Sequence, residues 1–256
     1  MHSKESEFVP VLFYKYVMNI IECTNIANTT TVKNREIKYI VIHYTAGTTS
    51  KPGTARSTAK YFAKETTKAS ADFIVDDENV VQYNPDIKNR YTWHCGGSKY
   101  KTKGGSLYKI CTSANSIGIE MCSTNSTKKV TNPNDTNWYF TDTVINNSIE
   151  LTKQLMQEYN IDIDHVIRHY DVNGKPCPGV VGWNEDTNDI SKWEDFKKRL
   201  LPEELKVEPG IVEVSVPEVK EPEPIKIEKT EDTSKISQKQ GIFEVLLNTI
   251  LALFKK

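Results

Sequence analysis

Several features are scarce or missing in this sequence of 256 residues, and each absence excludes something. Cysteine is sparse and unpaired: Cys23, Cys95, Cys111, Cys122 and Cys177 are odd in number and irregular in spacing, which argues against a disulfide framework and for synthesis in a reducing compartment such as the cytosol. No C-x-x-C pair occurs, so neither a structural zinc finger nor the paired-cysteine site of a nucleic-acid deaminase is encoded. A surplus of one charge is also lacking. The formal net charge is −1, which gives no long-range attraction to nucleic acid.

Long apolar runs are absent as well. None reaches the roughly 18 residues that would span a bilayer. The stretch Phe8–Ile21 is broken by Lys15 and lacks a small-residue cleavage site, so it does not read as a secretory signal. If its target lies outside the membrane, something else must release the protein. Residues 1–17 read as an extension ahead of a domain beginning at Met18, or alternatively as an N-terminal helix packed on that domain. No internal repeat is visible.

What is present is an alternation of strand and helix signals from about Lys38 to Leu201. "KYIVIHYT" is a continuous apolar run suited to a strand covered on both faces. "ARSTAKYFAKET" places Ala59, Phe62 and Ala63 at helical spacing. "ASADFIVD" and "NVVQYN" read as a hairpin turning at Asp77-Glu78, and "SIGIEMC" as a further strand. The segment Thr141–Asn160 is the clearest helix, capped by Thr141 or Asp142 and carrying one wide apolar face. "HVIRH" reads as a short strand. "SKWEDFKKRLL" reads as a helix with a Ser191–Glu194 capping box. The alternation predicts an α/β domain over 18–201, with a mixed central sheet flanked by helices.

Composition changes at Pro202. Residues 202–240 hold five prolines, ten acids and six lysines and no aromatic residue, which reads as an extended, self-repelling linker. Residues 241–256, "GIFEVLLNTILALFKK", are apolar on most of a helical circumference. A helix there would be about 24 Å long, too short for a hydrocarbon core of ~30 Å. It reads as an interfacial helix at a membrane surface or a partner-docking helix, with folding back onto the domain as the alternative.

Three side chains have the chemistry of a metal site: His43 and His169 at the ends of predicted strands, and Cys177 in the loop that follows the second. Zinc accepts imidazole nitrogen and thiolate, and a catalytic zinc keeps one position for water. Taken singly, each also fits a structural histidine or a small buried cysteine.

The motifs "IVIHYTAG", "ASADFIVDD", "TWHCGG", "NSIGIEMC" and "VIRHYDVNGKPCPG" together resemble the zinc N-acetylmuramoyl-L-alanine amidases. That family includes phage endolysins, bacterial autolysins and peptidoglycan-recognition proteins. The resemblance runs from Asn19 to Leu201. It implies zinc held by His43, His169 and Cys177. It also implies peptidoglycan as partner, with cleavage of the amide between N-acetylmuramic acid and L-alanine of the stem peptide. Glu120 matches the catalytic glutamate of the endolysin branch. Alternation along Ile117–Glu120 puts Glu120 on the face opposite the isoleucines, which suits either a site or a solvent-facing strand residue. Lys175 is the candidate for stabilising the oxyanion. His94, Asn115 and Trp93 match positions that line the substrate groove. Asp72 stands where many relatives carry histidine, and Ala71 where one branch carries a catalytic tyrosine, so a glutamate mechanism is expected. Residues 98–114 are expected to form a loop beside the groove. A recognition module without catalysis is the competing function, and a zinc hydrolase for another amide a third. The enzyme would act at the cell wall.

Overall fold

The computed structural model describes residues 20–46, 54–125, 127 and 136–202. The proposed extension over 1–17, the linker beyond Pro202 and the apolar segment 241–256 lie outside the described residues. In chain order the elements are β1 (Ile20–Glu22), β2 (Thr29–Thr31), β3 (Tyr39–Tyr44), α1 (Ala55–Phe62), β4 (Phe73–Val75), β5 (Val80–Gln82) and β6 (Arg90–Thr92). They continue with β7 (Ser116–Met121), β8 (Thr124–Asn125), β9 (Trp138–Tyr139), α2 (Asp142–Tyr159), β10 (Val166–Arg168), α3 (His169–Asn173) and α4 (Ser191–Leu200).

Six strands form one sheet in the order β1-β5-β4-β7-β3-β10. Only the β4–β5 hairpin is antiparallel, so the sheet is mixed, as the sequence predicts. β3 lies between β7 and the edge strand β10, and all six of its residues are buried. Its even-numbered side chains Ile40, Ile42 and Tyr44 join Ile117, Ile119 and Met121 of β7 in the main core. Val144, Ile149, Leu151 and Leu155 of α2 and Phe196 and Leu200 of α4 close that core from above. On the opposite face, α1 covers Ile74, Val81 and Tyr83 with Ala55, Ala59 and Phe62. Tyr39 and Val41 instead meet Ile167 and Val172 beneath the region of α3.

Local chemistry sets the element ends. Thr141 caps α2 by accepting a hydrogen bond from Val144 N at 3.2 Å. The β4–β5 turn is organised by Asp76, whose Oδ1 accepts from the backbone N–H groups of Glu78 and Asn79. α1 stops at Phe62, four residues short of the predicted end, and a single 3₁₀ turn follows at Glu65–Thr67. The capping box expected at Ser191 does not form. Ser191 is already helical, and its N–H is taken by Asp189 Oδ1 at 2.9 Å, so the acid two residues upstream does the work assigned to the serine. Among the described residues no helix is long and apolar enough to cross a membrane.

Candidate metal centre

The registry of three neighbouring parallel strands builds the site. His43 of β3 lies opposite Glu120 of β7. Arg168, the last residue of β10, lies opposite Ile42, so His169 follows at the level of His43. Glu120, His43 and His169 therefore stand in one row at the carboxyl ends of β7, β3 and β10. This is where ligand sites gather in open α/β sheets.

The fourth member comes from the turn after α3, and the "RHYD" motif explains how that turn is held. Asp171 accepts from Arg168 N at 2.8 Å and from its guanidinium Nε and Nη2 at 2.9 and 2.6 Å. The guanidinium also donates to Trp183 O at 2.8 Å and Glu185 Oε1 at 3.1 Å. The charge is thus buried but fully partnered. Gly174 ends α3 at φ 82°, a conformation that favours glycine. Asn173 Oδ1 accepts from Lys175 N, and Tyr170 N donates to Cys177 O at 2.9 Å, folding the chain back on itself. The loop before β7 straps the same helix: Tyr100 N, Gly105 N and Leu107 N donate to the carbonyls of Asn173, Tyr170 and Asp171.

This geometry brings His43, His169 and Cys177 together, with ligand atoms all within 4.8 Å of one another and all three residues buried. His43 Nδ1 lies 3.7 Å from Cys177 Sγ, and the His43 and His169 rings meet edge-on with centroids 4.7 Å apart. Both ring nitrogens of His169 are buried and have no hydrogen-bond partner. An imidazole left so in a protein interior is costly unless something else binds it. Burial also sets the protonation. It lowers His43 well below the usual histidine range and His169 to about 3, so both rings are neutral and keep a lone pair. It pushes the Cys177 thiol up to about 12, Lys175 opposing and Glu120 reinforcing the rise, so a nearby cation is needed to draw out the thiolate. Two neutral imidazoles and a sulfur are a donor set that fits a borderline-soft divalent ion.

Glu120 is raised by burial to about 7, with Lys175 pulling it down, and its Oε2 is buried without a hydrogen-bond partner. Lys175 is exposed, yet its ammonium is close enough to bias His43, His169, Glu120 and Cys177 alike. A cavity of about 480 Å³ opens beside the Cys177 turn, lined among others by Thr102, Pro176, Gly179, Asn184 and Asp186.

The other expected site residues fall differently. His94 is only 7% exposed and turns inward, with Nδ1 3.1 Å from His43 Nε2. Asn115 spends its side chain on its own turn, accepting from Thr112 N at 2.7 Å and donating to Ile110 O at 2.9 Å. Trp93 is 36% exposed and donates its indole N–H to Thr30 Oγ1 on the β2–β6 pair. Asp72 is fully buried and collects bonds from Asn84, Thr92 and the Gly118 N–H. Ser116 hydrogen-bonds His94 Nε2 at 3.3 Å. Nothing in the spacing of the sequence marks Ser116 for this contact. The five cysteines are all free thiols.

Comparison with known proteins bears on this region. A family model described as N-acetylmuramoyl-L-alanine amidase matches residues 33–180, a span that holds His43, Glu120, His169 and Cys177. The N-acetylmuramoyl-L-alanine amidase BlyA of Bacillus subtilis (strain 168) is 28% identical over 177 residues, which cover 66% of this chain and 42% of that relative. CwlA of the same strain, also an N-acetylmuramoyl-L-alanine amidase, is 32% identical over 141 residues, 55% of this chain and 43% of that relative. The chain thus spans less than half the length of these curated relatives. Among solved structures, the catalytic domain of XlyA is similar with 26% identity and a TM-score of 0.50, over 72% of this chain and 100% of that one.

Proposed function

Because the chain belongs to the N-acetylmuramoyl-L-alanine amidase family, we propose that it is a zinc-dependent peptidoglycan hydrolase that cleaves the amide between N-acetylmuramic acid and L-alanine of the stem peptide. The observation that carries this reading is the row Glu120, His43 and His169 with Cys177 beside it. A site that serves recognition alone has no use for a carboxylate with one oxygen buried and unpartnered next to such a donor set.

In this reading His43, His169 and Cys177 hold the ion. Zinc, when bound, acts as a Lewis acid that acidifies a water and polarises the scissile carbonyl. Glu120 takes the proton of the attacking water and delivers it to the leaving amine of L-alanine. A carboxyl that burial raises to about 7 is suited to both steps near neutral pH. Lys175 turns its positive charge toward the same centre and offsets the negative charge that develops on the carbonyl oxygen. The strapped α3 keeps His169, Lys175 and Cys177 in register with the sheet. Trp93 offers an open ring for the glycan or peptide to pack on, and Asn115 shapes the turn behind it. The enzyme works at the cell wall.

The decisive experiment is mass spectrometry of purified peptidoglycan after digestion. Free stem peptides with new L-alanine amino termini, and glycan strands bearing intact lactyl groups, are expected. Products cut within the glycan or within the peptide would refute the assignment.

A further inference from the structure

We infer that His94 is a positioning residue: its Nδ1 accepts the Nε2 proton of His43, and so turns the bare Nδ1 of His43 toward His169 and Cys177. The inference rests on the reading that these three residues hold zinc.

The hydrogen bonds fix the tautomers in sequence. Ser116 Oγ donates to Thr112 O at 2.6 Å, which leaves only its lone pairs for His94 Nε2 at 3.3 Å. His94 therefore carries its proton on Nε2. Asp72 Oδ2 stands 4.0 Å from the same nitrogen and favours that proton further. Asp72 is itself held by Thr92 Oγ1 at 2.9 Å, Gly118 N at 2.8 Å and Asn84 Nδ2 at 2.7 Å. The Nδ1 of His94 is then a lone pair, 3.1 Å from His43 Nε2. Of the two imidazoles His43 is the donor, the Cys95 S–H at 3.0 Å being the weaker donor to the same lone pair, and the other nitrogen of His43 is left free at 3.7 Å from Cys177 Sγ. Partners of this kind hold a metal-bound imidazole in one orientation and raise its basicity.

Two further observations agree. Gly118 is the reason the His94 ring fits: a Cβ there would lie 2.7 Å from His94 Cγ. Burial of the His94 ring makes it a poor contact for a polymeric substrate. One competing arrangement exists. Cys95 Sγ reaches His94 Nδ1 at 3.0 Å, and His43, His94 and Cys95 also place ligand atoms within 4.8 Å of one another. His94 and Cys95 each have hydrogen-bond partners, whereas His169 has none. The ion therefore belongs with His169, and His94 supports it from behind.

The test uses the full chain loaded with zinc and measures affinity by chelator competition and stoichiometry by elemental analysis. Wild type should bind one zinc. His94→Phe should bind it about 10- to 100-fold more weakly, with the circular dichroism of the metal-free protein unchanged. His94→Asn should recover most of that loss, because its Oδ1 can occupy the place of Nδ1. Cys95→Ala should bind as tightly as wild type. Nitrogen NMR of zinc-loaded wild type gives a readout that needs no variant: His94 protonated on Nε2, and His43 metal-bound through Nδ1. Undiminished affinity in His94→Phe, or the opposite His94 tautomer, overturns the proposal. So does a second zinc that both His94→Phe and Cys95→Ala abolish, since His94 would then be a ligand. If wild type binds no zinc, the ligand reading fails first and takes this one with it.

Discussion

At the scale of single residues, the proposed mechanism divides the site between groups that bind and one that moves a proton. Glu120→Gln keeps the shape of the side chain and removes its acid–base chemistry. It should lower turnover by about 10²- to 10⁴-fold, while zinc content and the thermal midpoint stay near wild type. Release of L-alanine amino termini and elemental analysis on the same preparation check this. Full activity in that variant would remove Glu120 from the mechanism. Cys177→Ser should lose zinc and activity together, because a buried serine hydroxyl does not replace a thiolate. The grouping of His43, His169 and Cys177 was legible in the sequence because "IVIHYTAG" and "RHYDVNGKPCPG" place the two histidines at strand ends, which have fixed positions once the sheet is known, and the cysteine in the loop that follows. His94 was legible as important but not in its direction. Its inward turn depends on the space over Gly118 and on the buried carboxylate of Asp72, two features that come from β7 and from the chain entering β4. No pattern within "TWHCGG" encodes either.

At the scale of elements, the pairing of β3 with β7 carries the most information. A slip of one residue would exchange the faces of a whole strand and send His43 or Glu120 into the main core. Isoleucines at 40, 42, 117 and 119, all fully buried, oppose such a slip at about 1.5–3 kcal/mol apiece. Gly118 is the weak point of this arrangement. Gly118→Ala should destabilise the protein by about 1–3 kcal/mol through the clash with His94 and should weaken zinc binding as well. Denaturant titration paired with chelator competition tests both effects, and an unaffected metal affinity would show that His94 can move without consequence. Thr141→Ala should cost about 1 kcal/mol through the lost cap of α2 and leave zinc binding alone. Element types were mostly readable from apolar periodicity. The starts of α1 and α4 were readable at Ala55 and Ser191; the end of α1 was not, because the chain tightens there into the bonds Lys64 N to Tyr61 O and Thr67 N to Lys64 O, and neither was the α4 cap, where Asp189 accepts from Ser191 N. The five-residue α3 was invisible to periodicity, being too short to show a face.

At the scale of the whole molecule, the proposed metal should be separable from the fold. The main core joins residues of β3, β7, α2 and α4, with Cys177 alone of the proposed ligands at its edge. Chelation should therefore lower the thermal midpoint and abolish activity while leaving the far-ultraviolet circular dichroism folded, and added zinc should restore both. Acidity should act on the metal-free form through the buried histidines. His43, His94 and His169 are neutral in the fold, with His94 lowered to about 4 and His169 to about 3, whereas unfolded histidine titrates near 6.5. The unfolded chain thus binds more protons below pH 6.5. The histidine contribution is complete above that value and falls as pH drops, by up to about 1.4 kcal/mol per pH unit for each histidine, and Glu120, raised to about 7, offsets one histidine's share of the loss. Denaturant midpoints of chelated protein at pH 7.5 and 5.0 measure this, and equal midpoints would contradict the burial argument.

The loop over residues 98–114 bears on attempts to re-engineer the proposed activity. Under the proposed function it looks like a free handle for altering stem-peptide preference, but its backbone is sewn to the carbonyls of Tyr170, Asp171 and Asn173 in the helix that presents His169, and Thr102 is bonded to Gly174 in the turn leading to Cys177. A graft from a related domain would have to reproduce those stitches as well as the new contacts. Otherwise the transplanted loop would change appetite and blunt the blade in the same stroke.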